Sequence, residues 1–155
     1  MEIALRKNPR YLRFERVFFF YFVYNRKMAP KKLSVFVAGF IFFILIVNYA
    51  AMKFYWYYSI PWFDMLMHFF GGLWLGFAFI WLYQPGISYL KIIAGVLLFG
   101  VFWEVFEMVI HQSFLRDPFD LSDTLSDLFF DMLGGGVAVF YLINQKRNER
   151  DERSR

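Results

Sequence analysis

Polar side chains along this chain gather into a few tight clusters, and between the clusters lie four long apolar runs. Residues 33–52 hold only Ser34, Asn48 and Tyr49 as polar side chains. Residues 62–83 contain Asp64 and His68, residues 92–110 contain Glu104 and Glu107, and residues 125–143 contain Asp127 and Asp131 followed by Gly134, Gly135 and Gly136. Crossing a hydrocarbon core about 30 Å thick takes roughly 20 helical residues. An open strand cannot satisfy its backbone in lipid, so each run predicts a membrane-spanning helix. The connections carry turn signals: a Tyr/Trp-rich stretch at 53–61, Gln84-Pro85-Gly86, and an acidic segment at 112–124 with Pro118. The aromatics Tyr55, Trp56, Tyr57, Tyr58 and Trp62 suit an interfacial belt.

The expected architecture is therefore an all-α membrane protein, a four-helix transmembrane bundle over residues 33–143. A basic segment at 1–32 precedes it and a basic tail at 144–155 follows it. Within the first segment the aromatic run 17–24 is too short to span and reads as an interfacial helix. No small-residue cleavage site follows it, which argues against a secretory signal. Translation from Met28 is the alternative, leaving residues 29–32 as a compact basic flank.

Composition sharpens this picture. Hydrophobic residues make up 59% of the chain, against about 45–50% in soluble domains, and the excess has to face lipid. Cysteine is absent, so disulfides, thiolate metal sites and cysteine nucleophiles are excluded, and any metal must take oxygen and nitrogen ligands. A net charge of +4 would suit a nucleic-acid binder, but the basic residues flank the spans and act as topology signals. Nine Lys/Arg residues precede the first span, Lys91 lies between the second and third, and five follow the fourth, so 15 of the 17 share one side. By the positive-inside rule that side is cytoplasmic, which predicts a multi-pass inner- or plasma-membrane protein with both termini in the cytoplasm and no nucleic-acid partner.

The acidic residues divide the other way. Of 13, five sit in the terminal segments and eight sit in spans two to four or in the segment before the fourth. Converting position to depth at about 1.5 Å per residue puts Asp64 and Asp127 roughly 3 Å below the outer boundary, and His68 and Asp131 roughly 9 Å. Counting up the third span puts Glu104 roughly 12 Å, Glu107 roughly 8 Å and His111 roughly 2 Å below the same boundary. His68, Glu107 and Asp131 then share one level, with Asp64, His111 and Asp127 in a layer above. Helical phase agrees: Asp64 and His68, and Glu107 and His111, are four apart, and Asp123, Asp127 and Asp131 form a ladder at the same spacing.

Like charges stacked this way repel, and a carboxylate inside a span is costly unless it faces the protein interior, takes a proton or binds a cation. Three readings follow: a divalent-metal site, a protonated or hydrated polar pocket that locks three helices together, or a proton or cation pathway. Carboxylate with imidazole suits Zn²⁺, Mn²⁺ or Fe²⁺ better than Ca²⁺. The candidate ligands are His68, Glu107, Asp127 and Asp131, with Asp64, His111 and Asp123 beside them, and Glu104 is the candidate general base. Singly each residue is weak evidence; Asp64 and Asp127 also suit the dipole at a helix N-terminus. The glycines at 71–72 and 134–136 suit close helix packing. Arg116 is a candidate anion receiver, with a salt bridge to Asp117 or Asp120 as the plainer reading. No Ser/His/Asp arrangement, phosphate-binding glycine loop, HExxH or Glu-x-x-His spacing is present.

Three ordered blocks, Asp64-Met-Leu-Met-His68-Phe-Phe-Gly71-Gly72, Trp103-Glu104-Val-Phe-Glu107, and Asp123-Thr124-Leu-Ser-Asp127 with Asp131 and Gly134-Gly135, resemble the signature blocks of the YjdF-type inner-membrane proteins. VanZ-like proteins, associated with glycopeptide resistance, share a similar Asp/His opening. The resemblance covers about half the chain, and it implies a shortened version, since the family has more spans than four. It supports a site without assigning its activity. The expectation is a metal-dependent hydrolase acting on a lipid-linked or envelope substrate near the outer face. Transport of protons or cations, or an accessory role with a structural polar cluster, are the alternatives. Membrane lipid is the expected partner, and a homodimer is the expected way for four helices to shield such a site.

Overall fold

The computed structural model describes residues 31–83, 86–110 and 120–154. The short aromatic helix expected at 17–24, His111, Arg116 and Asp117 lie outside the described residues. Among those described, every regular element is helical: α1 Lys31–Lys53, α2 Trp56–Ser59, α3 Phe63–Tyr83, α4 Tyr89–Ile110 and α5 Leu121–Arg153. Four of these, all but α2, are long and apolar enough to cross a membrane.

The helix ends follow from local chemistry. Tyr55, at φ 57° and ψ 34°, is the one described non-glycine residue with positive φ, and it breaks α1 from the single turn of α2. The expected second span begins at 62, whereas α3 begins at Phe63, because Pro61 and Trp62 form a turn in which the Phe63 N–H donates to the Ile60 carbonyl at 3.0 Å. At the head of α4 the Ser88 hydroxyl accepts from the Lys91 N–H at 3.4 Å. At the head of α5 the Asp120 carboxylate accepts from the N–H groups of Ser122 and Asp123, at 2.8 and 3.4 Å, which satisfies two donors the helix itself cannot. The fourth helix is longer than the expected span in both directions. Its 33 residues reach about 50 Å at 1.5 Å each, so residues expected to form a separate basic tail continue the helix beyond the hydrocarbon.

Contacts fix the directions. Along α3 and α5, Gly72 meets Asp131 and Gly76 meets Ala138, so these two helices run parallel. Along α4 and α5, Gly100 meets Asp131 and Val96 meets Gly135, so α4 runs antiparallel to both. The glycines are what permit this. A Cβ on Gly72 or Gly134 would overlap backbone atoms of the facing helix, and one on Gly76 would sit 2.6 Å from the Ala138 methyl. Lipid gives no hydrophobic drive for helices to associate, so close backbone approach and dispersion have to hold them.

The deepest packing lies along α3, α4 and α5, where Ile80, Ile92, Val96, Ala138 and Leu142 are almost wholly buried. Among the described residues the first span packs chiefly on α3. The Trp74 indole N–H donates to the Val37 carbonyl at 2.9 Å, and the rings of Phe36 and Phe77 meet edge to face at 5.1 Å. Its other faces, and most of α4, expose large apolar side chains such as Val35, Phe42, Ile46, Leu98 and Phe102. Such surfaces suit hydrocarbon rather than water.

Candidate metal centre

Parallel α3 and α5, with α4 running the other way, bring the first turns of two helices and the last turns of the third to one end of the bundle. Every acidic residue of the three motif blocks lies on segments that reach this end. His68 stands at the middle, 7% exposed, and its two ring nitrogens face different neighbours. Nε2 lies 3.9 Å from Asp64 Oδ1, 3.8 Å from Glu104 Oε1 and 3.9 Å from Asp127 Oδ2. Nδ1 lies 3.4 Å from Asp131 Oδ2. One imidazole thus meets four carboxylates from three helices.

Two groups of three have donor atoms within 4.8 Å of one another: Asp64, His68 and Asp127, and His68, Glu104 and Glu107. Donors held about 2.1 Å from one ion are at most about 4.2 Å apart. The spacings around Nε2 fall inside that limit. Asp127 is 2% exposed, and its Oδ1 and Glu104 Oε1 are buried with no hydrogen-bond partner. Buried polar atoms are nearly always satisfied, and buried carboxylates need a counter-charge or a proton. A divalent cation meets both needs with the oxygen and nitrogen donors present.

The layers differ from those counted by depth. Asp64 and Asp127 do not form a separate upper level, because both reach down to the His68 ring. Glu104, expected deeper and aside, comes as close to Nε2 as either of them. A count along a straight axis locates Cα atoms, and a carboxylate on a flexible stem moves its oxygens by several ångströms relative to its Cα. Asp123 is exposed in the first turn of α5 and belongs to neither group. Asp120 serves as the helix cap.

Three participants escape a reading of the spans. Thr124, one turn before Leu128 and on the acidic face of α5, places its side chain beside the Glu104 carboxylate. Asn48, in a span with no other sign of chemistry, accepts a hydrogen bond from the Tyr57 hydroxyl at 2.8 Å. Tyr57 rests its ring edge-on against Phe63, with centroids 5.1 Å apart, so α2 closes over the same end of the bundle. Burial, followed by the charges of Asp64 and Glu107, pushes the Tyr57 phenol up to about 12. Asn48, the one amide of the first span and near its outer end, is the available signal for this pair. Nothing in the sequence spacing links it to Tyr57 rather than to any other aromatic of the belt.

Comparison with known proteins gives a consistent picture of class. No curated protein and no solved structure matches the chain. A family described as predicted membrane protein matches residues 14–148, which takes in every described helix up to the last turns of α5. The four apolar helices, the acidic cluster at one end of them and this match agree, and the chain belongs to the predicted membrane protein family DUF2238.

Proposed function

We propose that this chain is a multi-pass membrane protein with a divalent-metal centre, Zn²⁺, Mn²⁺ or Fe²⁺, at the outer end of its bundle, and that it hydrolyses a lipid-linked or envelope substrate there. The observation that carries the reading is the convergence of Asp64, Glu104 and Asp127 on His68 Nε2 at 3.8 to 3.9 Å, with two buried carboxylate oxygens that have no hydrogen-bond partner. A bound divalent ion supplies charge that acidifies water and polarises a scissile group. Among the residues themselves, in this reading His68 gives the nitrogen donor, Asp64, Glu104 and Asp127 the oxygen donors, and Glu107, within reach of His68 and Glu104, takes the proton.

The outer placement rests on charge: the basic residues gather at the opposite end, where α5 carries Lys146, Arg147, Arg150 and Arg153. Transport is disfavoured by what lies beneath the site, since Ile80, Ile92, Val96 and Leu142 are at most 1% exposed and offer no polar route toward the other end.

The test is elemental analysis of the detergent-purified full chain beside His68→Ala. Stoichiometric Zn, Mn or Fe in the wild type, lost in a variant that still unfolds cooperatively, supports the centre and directs a screen of lipid-linked phosphates and esters. Absence of metal from the wild type after reconstitution with each ion refutes it.

A further inference from the structure

The contact from Asp131 to His68 is the shortest of the four around the ring, yet Asp131 belongs to neither group of donors able to share an ion. The reason is the ring. Asp131 sits on the Nδ1 side, and Asp64, Glu104 and Asp127 sit on the Nε2 side. We infer that Asp131 is not a ligand but the positioning residue of the centre, accepting a hydrogen bond from His68 Nδ1–H so that the Nε2 lone pair is turned toward Asp64, Glu104 and Asp127. This rests on the metal reading above and assigns Asp131 a different part in it from the ligand role its spacing suggested.

The packing around Asp131 supports this role. The residue is 5% exposed and lies one turn deeper than Asp127 on α5. On α3, Gly72 lies one turn deeper than His68, and on α4, Gly100 lies one turn deeper than Glu104. Each of the three helices therefore contributes a donor at one level, with two glycines and Asp131 at the level below. The glycines clear the space for that carboxylate. A Cβ on Gly100 would stand 2.6 Å from Asp131 Oδ2, the oxygen that faces Nδ1, and one on Gly72 would overlap the Asp131 backbone. On the open side, a Cβ at Gly71 would reach ordinary contact with Oδ1 at 3.9 Å. A carboxylate enclosed on one side of an imidazole, with donors gathered on the other, fixes tautomer and ring orientation and raises the basicity of the ligating nitrogen.

Loss of such a partner typically costs 10- to 100-fold in metal affinity without changing the ligand set. The test uses the full chain in detergent with Zn²⁺ as probe. Affinity is measured by chelator competition, and the coordination shell by X-ray absorption at saturating Zn²⁺, for wild type, Asp131→Ala, Asp131→Asn and Gly100→Ala. Expected is roughly a 10- to 100-fold weaker affinity in Asp131→Ala, a smaller loss in Asp131→Asn, which keeps an acceptor, and an unchanged count of nitrogen and oxygen ligands in all of them. Gly100→Ala leaves every donor in place and should weaken affinity in the same direction. Loss of one oxygen from the shell of Asp131→Ala or Asp131→Asn would make Asp131 a ligand and overturn the inference. Unchanged affinity in both Asp131→Asn and Gly100→Ala would overturn it as well. A wild type that binds no Zn²⁺, Mn²⁺ or Fe²⁺ fails at the earlier step, which separates failure of the metal reading from failure of this one.

Discussion

Substituting Gly72 with alanine tests whether helix spacing and site geometry are one property. A Cβ at Gly72 would stand 2.7 Å from Asp131 Cα, where ordinary van der Waals contact begins near 3.4 Å. The obstacle is backbone and cannot rotate away, so α5 must retreat by at least about 0.7 Å, the difference between those two distances. The Nδ1 to Asp131 separation, already 3.4 Å, then passes beyond hydrogen-bond range. Overpacking of this kind costs about 1 to 3 kcal/mol. The control is Gly136→Ala, which adds the same methyl group in the middle of α5 with nothing within 4 Å. Helix propensity favours alanine over glycine by about 0.8 to 1.0 kcal/mol at both positions, so the comparison isolates the clash. At roughly 2 to 4 °C per kcal/mol for a chain of this size, Gly72→Ala should melt roughly 2 to 12 °C below Gly136→Ala. The five tryptophans report unfolding by intrinsic fluorescence in detergent, and Zn²⁺ affinity is read on the same samples. Equal melting temperatures, or a Gly72→Ala protein that melts lower but binds Zn²⁺ as the wild type does, would refute the coupling.

Other expectations concern the site directly. Asp127→Asn removes the most buried carboxylate and should abolish stoichiometric metal while leaving the metal-free protein as stable as wild type or more so, because one like charge is gone; calorimetry with and without chelator separates the two effects, and a variant that keeps its metal contradicts the assignment. Chelator should lower the melting temperature of the wild type, by the equivalent of about 2.7 kcal/mol if free metal had been 100 times its dissociation constant, and should leave His68→Ala unmoved. Tyr57→Phe removes the hydrogen bond to Asn48, a loss of about 1 kcal/mol, and should speed hydrogen exchange at the N–H groups of α2. Its pH dependence has a definite sign. The folded phenol titrates at about 12 rather than 10, so its contribution is complete below pH 10 and is lost as pH rises through about 12. Wild type should therefore lose more stability between those values than Tyr57→Phe, and parallel curves would show that the phenol is not shielded.

Much of this architecture can be read along the chain because the bilayer constrains it so strongly. Runs of about 20 apolar residues have few alternatives to a spanning helix, and α1, α3 and α4 contain the expected spans to within a residue at either end. The periodic acids are equally legible: a spacing of four puts Asp64 and His68, or Asp127 and Asp131, on one helical face wherever the helix lies. Helix ends were less so. The start of α5 at Leu121 depends on the Asp120 cap, and its extension through the basic tail depends on a run of helix-favouring polar residues that hydropathy cannot register.

That the chain crosses a membrane, that it does so as helices, and that its acids gather near one end all follow from local composition or from a fixed rise and turn per residue. Which atoms meet is set by the packing of the helices against one another. Glu104 comes within 3.8 Å of Nε2, Asp131 takes the other nitrogen, Gly100 makes room for it, and Asn48 pairs with Tyr57. These depend on the registers and crossing distances of α1, α3, α4 and α5, which are set by glycine contacts between segments distant in the chain. Spacing within one helix carries no record of that.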